Sequence, residues 1–285
     1  GKHKNIIKCS ETDGNVVIEW KDNNSIYFST SPSLEQPLAI KLFNLKTLKL
    51  HQITNPLPGG RGDYHAKQCS NGDLLILRNT DWSNTQIVLY DPKENKEQLI
   101  KSTLNAIYTA DWSDNCQQIF IASQDKPLSV LDLKSRTVTY YNNFEDIQYL
   151  DEHDGYLYLS DGIFFQQSIH SINLKTKHEK VLVDSNRNDY LYTKKYSSDD
   201  FAFVSDRTGF PQIWMKSNGK LQQLTYFTNR ENIGSLTWSI DDSYLVFIRN
   251  NTVFQISPNK KDALSEFFKP QGKIGNIIPL DSERW

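Results

Sequence analysis

The same short pattern recurs six times along this chain of 285 residues. Each copy has an aromatic or apolar anchor residue, a turn rich in Asp, Asn and Ser, and a short apolar run. The anchors are Trp20, Cys69, Trp112, Leu150, Tyr196 and Trp238. A second polar turn follows each anchor, as in the Asn-Leu-Lys-Thr segment at 44–47 and its copy at 173–176. The anchors are spaced by roughly 40–50 residues, which indicates a structural repeat of that length.

Short alternating runs broken by polar turns are typical of antiparallel strands, and helical periodicity is nearly absent. Each repeat has room for four strands. A four-stranded blade has two apolar faces that it cannot bury alone, whereas six blades closed into a ring bury both. The sequence therefore predicts an all-β fold, a six-bladed β-propeller of four-stranded antiparallel blades, as a single domain over residues 1–285.

A row of separate β-sandwiches is the alternative fold. It would need linkers between domains, and the sequence shows no Pro- or Ser-rich linker. Within the propeller, residues 5–9 are expected to supply an outer strand to the last blade and so tie the two ends of the chain together. Residues 272–285 have no assigned place.

Composition excludes several classes of function. Lys and Arg number 32 and Asp and Glu number 34, which gives a net charge of −2, and a near-neutral chain lacks the positive charge that nucleic-acid binding requires. The apolar runs are far shorter than the roughly 18 residues of a membrane span. Cys9, Cys69 and Cys116 form no CxxC pair, which argues against a thiolate zinc site and leaves the redox compartment open. We therefore predict no direct nucleic-acid binding and no membrane span within this chain.

The fifth repeat resembles one known family. Residues 197–215 read Ser-Ser-Asp-Asp-Phe-Ala-Phe-Val-Ser-Asp-Arg-Thr-Gly-Phe-Pro-Gln-Ile-Trp-Met, and the repeat closes at Leu224 and Thr225. This segment resembles the repeat of TolB-like propellers, which combines a Ser-Pro-Asp-Gly turn, a Ser-Asp-Arg-x-Gly segment and a closing Leu-Thr pair. The other five repeats keep only parts of the pattern. Propellers of this kind also form the periplasmic C-terminal half of CadC/ToxR-like membrane regulators, so the resemblance implies a periplasmic sensor domain that begins, as an excised fragment, at Gly1.

The motifs of common catalytic sites are missing from the sequence. It has no GxSxG elbow, no HExxH pair and no Walker sequence. The glycine-rich segment at 58–63 leads into a predicted strand, whereas a phosphate loop leads into a helix. Asp206 and Arg207 are interpreted as a structural turn in which Gly209 supplies a positive φ. We predict no catalytic residue, no metal and no cofactor, and the alternative is a small-molecule enzyme of hydrolase type that uses the central channel.

The loops of the repeats differ in length, and this difference suggests a binding face. The turns within each repeat after the first and third strands are short, whereas the other loops are long and carry aromatic and Arg residues, a composition typical of interaction surfaces. Two groups of loop residues lead into the first strands of the second and fifth repeats: Arg61, Asp63 and Tyr64, and Arg187, Asp189 and Tyr190. We predict that they hold a protein or peptide partner, or a small ligand; the alternative is that they brace neighbouring loops.

Overall fold

The computed structural model describes residues 18–270 apart from 32, 34, 82–83, 104–105, 125, 142, 145, 163–165 and 259–263, together with residues 274, 276 and 277. The described residues form strands and turns and include no helix. They divide into two compact units, Gly1–Gly155 (unit 1) and Tyr156–Trp285 (unit 2). The division falls in the turn between the thirteenth and fourteenth strands, and each unit is considered by itself.

Unit 1 begins with three antiparallel sheets, each built from four strands that are consecutive in the chain. Sheet 1 contains β1 (Ile18–Asp22), β2 (Ser25–Thr30), β3 (Ala39–Asn44) and β4 (Leu50–Gln52). Sheet 2 contains β5 (Gly62–Gln68), β6 (Leu74–Asn79), β7 (Thr85–Asp91) and β8 (Lys96–Thr103). Sheet 3 contains β9 (Ile107–Trp112), β10 (Gln118–Ser123), β11 (Leu128–Asp132) and β12 (Val138–Tyr141).

The remaining strands follow the same order. Sheet 4 contains β13 (Tyr149–His153), β14 (Tyr156–Asp161), β15 (Ser168–Asn173) and β16 (Glu179–Val183). Sheet 5 contains β17 (Asp189–Lys194), β18 (Phe201–Ser205), β19 (Gln212–Ser217) and β20 (Lys220–Gln223). Sheet 6 contains β21 (Ile233–Trp238), β22 (Leu245–Arg249), β23 (Thr252–Ile256) and β24 (Ser265–Phe268). The predicted class, all-β with six four-stranded antiparallel sheets, is confirmed.

The core of unit 1 explains why the second strands are apolar on both faces. On β6, Leu74 and Ile76 pack with Ile40 of sheet 1, whereas Leu75 and Leu77 pack in a second cluster with sheet 3. All four leucine and isoleucine side chains of β6 are fully buried. Successive side chains of a strand point to opposite faces. The four positions of β6 that pack between sheet 1 and sheet 3 are therefore all apolar.

Two of the tryptophan anchors, Trp112 and Trp238, connect neighbouring first strands. In unit 1 the indole N–H of Trp112 donates to the backbone carbonyl of Lys67, at 2.9 Å. In unit 2 the indole N–H of Trp238 donates in the same way to the carbonyl of Thr193, at 3.3 Å. Trp112 and Trp238 thus fill the core and satisfy their indole N–H groups on the preceding sheet, which favours Trp at this position.

Two further features concern the ends of the repeats. The outer strand of sheet 6 is Ser265–Phe268, so the last sheet already has four strands from one continuous stretch of chain. Residues 5–9, which were expected to supply that strand, lie outside the described residues. In unit 1 a disulfide joins Cys69 and Cys116, which lie in the turns after β5 and β9, with 5.9 Å between their Cα atoms.

Candidate functional site

The predicted residues of the second repeat lie at the start of β5, in unit 1. Arg61 is exposed, and its backbone is held on both sides: its N–H donates to Asn79 Oδ1 at 3.2 Å, and its carbonyl accepts the N–H of Leu38 at 2.8 Å. Tyr64 is half-buried, and its hydroxyl donates to the carbonyl of Ile107 at 2.7 Å. Gly62, with φ of +87°, passes so close to the backbone of Leu38 that a Cβ would overlap it.

Asp63 is fully buried and forms the centre of a polar network. Nε of Arg78 donates to Asp63 Oδ1 at 2.6 Å, and the hydroxyl of Thr54 donates to Asp63 Oδ2. A second guanidinium nitrogen of Arg78 reaches Glu97, at 2.8 Å. Burial raises the pKa of the Asp63 carboxyl, and the hydrogen bond from Arg78 acts in the opposite direction. The Asp63 carboxylate thus joins the start of β5 to Thr54 in the preceding loop and to Arg78 on β6.

The predicted residues of the fifth repeat, in unit 2, are arranged in the same way. Asp189 is fully buried, accepts a hydrogen bond from Nη2 of Arg207 at 2.9 Å and accepts another from the hydroxyl of Ser185 at 2.7 Å. Tyr190 is half-buried, and burial raises the pKa of its hydroxyl to about 12. Arg187 is exposed, in the bend just before β17. Each predicted group therefore contains one buried, paired aspartate and one exposed arginine.

The Asp-Arg turn of the fifth repeat is structural, as predicted. Asp206 Oδ1 accepts the backbone N–H of Asn188 at 3.0 Å, and the carbonyl of Asp206 accepts the N–H of Gly209 at 2.8 Å. Gly209 has φ of +103°. Arg207 points to Asp189, so this segment holds the start of β17 in place.

A second group of charged residues, which sequence reasoning missed, lies on the first strands of sheets 1–4. In unit 1 these strands contact one another in chain order, β1 with β5, β5 with β9 and β9 with β13. Each contributes one charged side chain to what we call the first-strand cluster: Glu19, Lys67, Asp111 and Asp151. Nζ of Lys67 lies 3.4 Å from Asp151 Oδ1 and 3.8 Å from Asp111 Oδ2.

The electrostatics of this cluster couple its members. Asp111 raises the pKa of the Lys67 ammonium, which therefore stays charged. Burial raises the pKa of Glu19 to about 7 and also raises that of Asp151. Asp111 is itself fixed, because its Oδ1 accepts the N–H of Trp112 at 2.8 Å and its Oδ2 accepts the N–H of Glu152 at 3.0 Å.

Two other titratable groups border the cluster. His65 donates from Nε2 to the carbonyl of Ala110 at 2.7 Å, and burial lowers its pKa to about 4. Burial raises the pKa of Glu152 to about 8, and a hydrogen bond with Asp114 acts in the same direction. Carboxyl groups with raised pKa values are suited to proton transfer near neutral pH. Among the described residues, no group of three or more His, Cys, Asp or Glu is placed to hold a metal ion.

Comparison with solved structures decides the fold. The β-propeller domain of the trilobed protease from Pyrococcus furiosus matches 94% of this chain and 90% of its own, with a TM-score of 0.65 and 9% identity. An oligogalacturonate lyase in complex with manganese matches 92% of this chain and 78% of its own, with a TM-score of 0.65 and 14% identity. TolB from Acinetobacter baumannii matches 87% of this chain and 67% of its own, with a TM-score of 0.52 and 14% identity. The fold is a six-bladed β-propeller.

The TolB-like character predicted from the fifth repeat is confirmed at the level of this propeller fold. Neither a protein-family model nor a curated protein matches the sequence. The solved propellers include enzymes as well as TolB, so the fold is compatible with both classes of function. Within the part of the chain that the structure describes, no helix is long and apolar enough to cross a membrane.

Proposed function

We propose that this propeller is a non-catalytic binding domain that recognises a protein or peptide partner, or a small ligand, at its long loops. The observation that carries the proposal is the contrast within each predicted group. Arg61 and Arg187 are exposed, whereas Asp63 and Asp189, two residues further on, are fully buried and paired. Each exposed guanidinium thus stands on a rigid support, and preorganised groups lose less conformational freedom on binding.

Exposed apolar side chains in the same class of loop support an interaction surface. Leu57, in the loop before β5, is 84% exposed, and Tyr226, in the loop before β21, is 76% exposed. Such large side chains are more often buried, and aromatic and Arg residues are enriched among the residues that dominate binding energy. We infer that a partner covers these side chains.

We further propose that this is the periplasmic sensor domain of a transmembrane transcriptional regulator, as the resemblance of the fifth repeat implies. The Cys69–Cys116 disulfide supports an extracytoplasmic location, because structural disulfides persist in oxidising compartments and are rare in the cytosol. The complete reading frame tests this proposal. A winged helix and a membrane helix encoded upstream of residue 1 are expected, and a reading frame without them would overturn the regulator assignment.

A small-molecule enzyme of hydrolase type is the second candidate function. The first-strand cluster and the raised pKa of Glu152 favour it, because they bring titratable groups together. Against it, Lys67 is held in its protonated state by its carboxylate neighbours, which makes it a poor nucleophile. An activity screen distinguishes the two candidates: turnover that survives purification and disappears in an Asp151→Asn variant would establish the enzyme.

The binding proposal is tested with two matched double variants. Arg61→Ala with Arg187→Ala removes both exposed loop cations, and Lys134→Ala with Lys175→Ala removes two exposed cations from the short turns after third strands. Partners are captured from a periplasmic extract by crosslinking, and their affinities are then measured with purified proteins. We expect only the loop variant to weaken binding while the melting temperature stays unchanged. Weakening by the control pair alone would place the partner elsewhere.

A further inference from the structure

A cavity of about 290 Å³ opens beside sheet 1, in unit 1. The pairing of β2, β3 and β4 determines which residues form the floor of this cavity. Ala39 and Lys41 lie on the same face of β3 because they are two positions apart. Ala39 is paired with Thr30 of β2, and Lys41 is paired with Gln52 of β4. These four residues line the cavity.

The walls of the cavity come from the two long loops that flank this end of the sheet. Gln36 and Pro37 belong to the loop between β2 and β3, and Asn55, Pro56 and Pro58 belong to the loop between β4 and β5. Proline has no backbone N–H, and its ring restricts φ, so three prolines make a stiff and largely apolar wall. The walls therefore favour the organic part of a ligand over a bare inorganic ion.

Thr54 holds the second of these loops in place. It is fully buried, its hydroxyl oxygen accepts the N–H of Ile40 at 2.8 Å, and the hydroxyl donates to Asp63. The network of Asp63 and Arg78 thus supports the loop that carries Asn55. A preformed cavity with such support binds with less loss of loop entropy.

The polar groups of the cavity define what a ligand must carry. The amide nitrogen of Gln52 donates to the carbonyl of Thr54 at 3.1 Å and to Asn55 Oδ1 at 2.7 Å. Both of its hydrogens are thereby used, which leaves the Gln52 carbonyl oxygen as an acceptor and the Asn55 amide nitrogen as a donor. Among the described residues, no carboxylate lies within ion-pair distance of Lys41, so its ammonium is available to an anion.

We propose that this cavity binds a small organic carboxylate that also carries an amide, such as an N-acylated amino acid or the C-terminal residue of a peptide. The carboxylate pairs with the Lys41 ammonium, the ligand N–H donates to Gln52, and the ligand carbonyl accepts from Asn55. A cavity of this volume lies at the lower end of the range for small-molecule sites. The cavity shares the loop between β4 and β5 with Leu57 and Arg61 of the proposed partner surface. Its ligand contacts are different residues, Lys41, Gln52 and Asn55, so a Lys41 variant and an Arg61 variant test the two proposals separately.

Calorimetric or NMR titration of the whole chain with N-acetyl-L-alanine tests the proposal. The neutral N-acetyl-L-alanine methylamide and inorganic phosphate serve as comparison probes, and N-acetyl-trialanine distinguishes a peptide end from a free acyl amino acid. We expect saturable binding of N-acetyl-L-alanine, with at least tenfold weaker binding of the methylamide and of phosphate. The methylamide lacks the carboxylate that makes a charge-assisted hydrogen bond with Lys41, and phosphate lacks the amide.

The variant Lys41→Met is expected to weaken binding of the carboxylate at least tenfold and to leave the weak binding of the methylamide unchanged. Lys46→Met, which removes an exposed lysine from the turn after β3, is the matched control and should bind as the parent does. Absence of binding at about 10 mM probe, or equal binding by the Lys41→Met variant and the parent, would overturn the proposal. Binding of phosphate as tightly as the acyl amino acid would overturn the ligand class. A melting temperature equal to that of the parent shows that a Lys41→Met effect is not unfolding.

Discussion

The starts of β5 and β17 are built from the same parts, one in each unit. At each, a fully buried aspartate accepts hydrogen bonds from an arginine and from a hydroxyl group. Asp63 pairs with Arg78, and Asp189 pairs with Arg207. Both aspartates were predicted to bind a partner, and in both cases their carboxylate oxygens are engaged within the chain.

We call these two strand starts corners: one contains Asp63 and Arg78, and the other contains Asp189 and Arg207. They differ in which side chains surround the arginine. Arg78 has a second carboxylate partner, Glu97, at 2.8 Å. The guanidinium of Arg207 instead lies over two aromatic rings, 5.2 Å from the centre of Phe203 and 5.0 Å from that of Trp214. A second arginine in unit 2 also combines a carboxylate with an aromatic ring. Arg249 pairs with Glu231 at 2.7 Å, and its guanidinium lies 4.3 Å from the centre of the Phe227 ring.

Both corners pair a buried aspartate with a cation, whereas the other contacts of that cation differ between them. A buried carboxylate must have a cation and hydrogen bonds, because an unpaired buried charge is very costly. The remaining surface of that cation is satisfied either by a second carboxylate or by the faces of aromatic rings. Each buried aspartate therefore requires a cation, which is an arginine in both cases. The other partners of that arginine depend on which side chains the neighbouring strands supply.

Removing the arginine is expected to have the largest effect on either corner. Arg78→Ala and Arg207→Ala each leave a buried aspartate without its cation, which should lower the free energy of unfolding by about 3–5 kcal/mol. Denaturant unfolding of each variant near neutral pH measures this loss. The variant Lys46→Ala, which removes an exposed cation, should stay within about 0.5 kcal/mol of the parent. A loss below about 1 kcal/mol at either corner would show that the pair is not needed.

Loss of the disulfide, which lies in unit 1, is expected to have the second-largest effect. Replacing Cys69 and Cys116 together by Ser releases the constraint between the turns after β5 and β9 and is expected to cost about 2–4 kcal/mol. Hydrogen exchange measured by peptide should rise around these turns in sheets 2 and 3 and remain unchanged around β17. An equal rise around β17 would contradict the confinement of the effect to unit 1.

Glu19 lies near Lys67 rather than an arginine, and its pKa is raised. Its contribution to stability should therefore depend on pH near neutrality. The raised pKa of Glu19, about 7, means that the folded chain holds its proton between pH 4.5 and about 7 while the unfolded chain loses it. Stability from this group is therefore greatest at low pH and falls as the pH rises, by at most about 1.4 kcal/mol per pH unit. Comparing pH profiles of unfolding for the parent and Glu19→Gln isolates this contribution. Identical profiles would show that Glu19 titrates normally.

The smallest expected effect concerns the contact of Arg207 with the rings of Phe203 and Trp214. Arg207→Lys keeps a positive charge near Asp189 but loses the flat guanidinium over Phe203 and Trp214, which should cost about 1 kcal/mol beyond the cost of Arg78→Lys. Glu97→Gln, at the other corner, should change stability by about 0–1 kcal/mol, since its carboxylate is partly exposed. Equal losses for the two Arg→Lys variants would remove the distinction between the corners.

Local chemistry made the repeat predictable. The polar turns after third strands fold alike wherever the same residues occur: Asn44 Oδ1 accepts the N–H of Thr47 at 2.8 Å, and Asn173 Oδ1 accepts that of Thr176 at 2.8 Å. An Asx side chain bonds to its own turn whatever packs nearby. The alternating apolar runs likewise specify strands, and the polar turns between them specify hairpins.

The candidate sites were less predictable because they depend on residues far apart in the chain. Nothing near Lys67 in the sequence indicates that Asp111 and Asp151 approach it, since three separate first strands bring them together. The acidic residue just before Trp20 and Trp112 was the one available signal. Similarly, the long loops marked where Asp63 would lie, but not that Arg78 would bury and neutralise it.

The amino-acid sequence by itself determined the number of repeats, their four strands and the turns that join them. Each of these follows from patterns within a few residues, such as strand alternation and Asx turns. Only the tertiary structure decided the Cys69–Cys116 pairing, the first-strand cluster and the cavity at Lys41. These features join separate strands and loops, so they arise only when side-chain packing sets strand register and the spacing between neighbouring sheets.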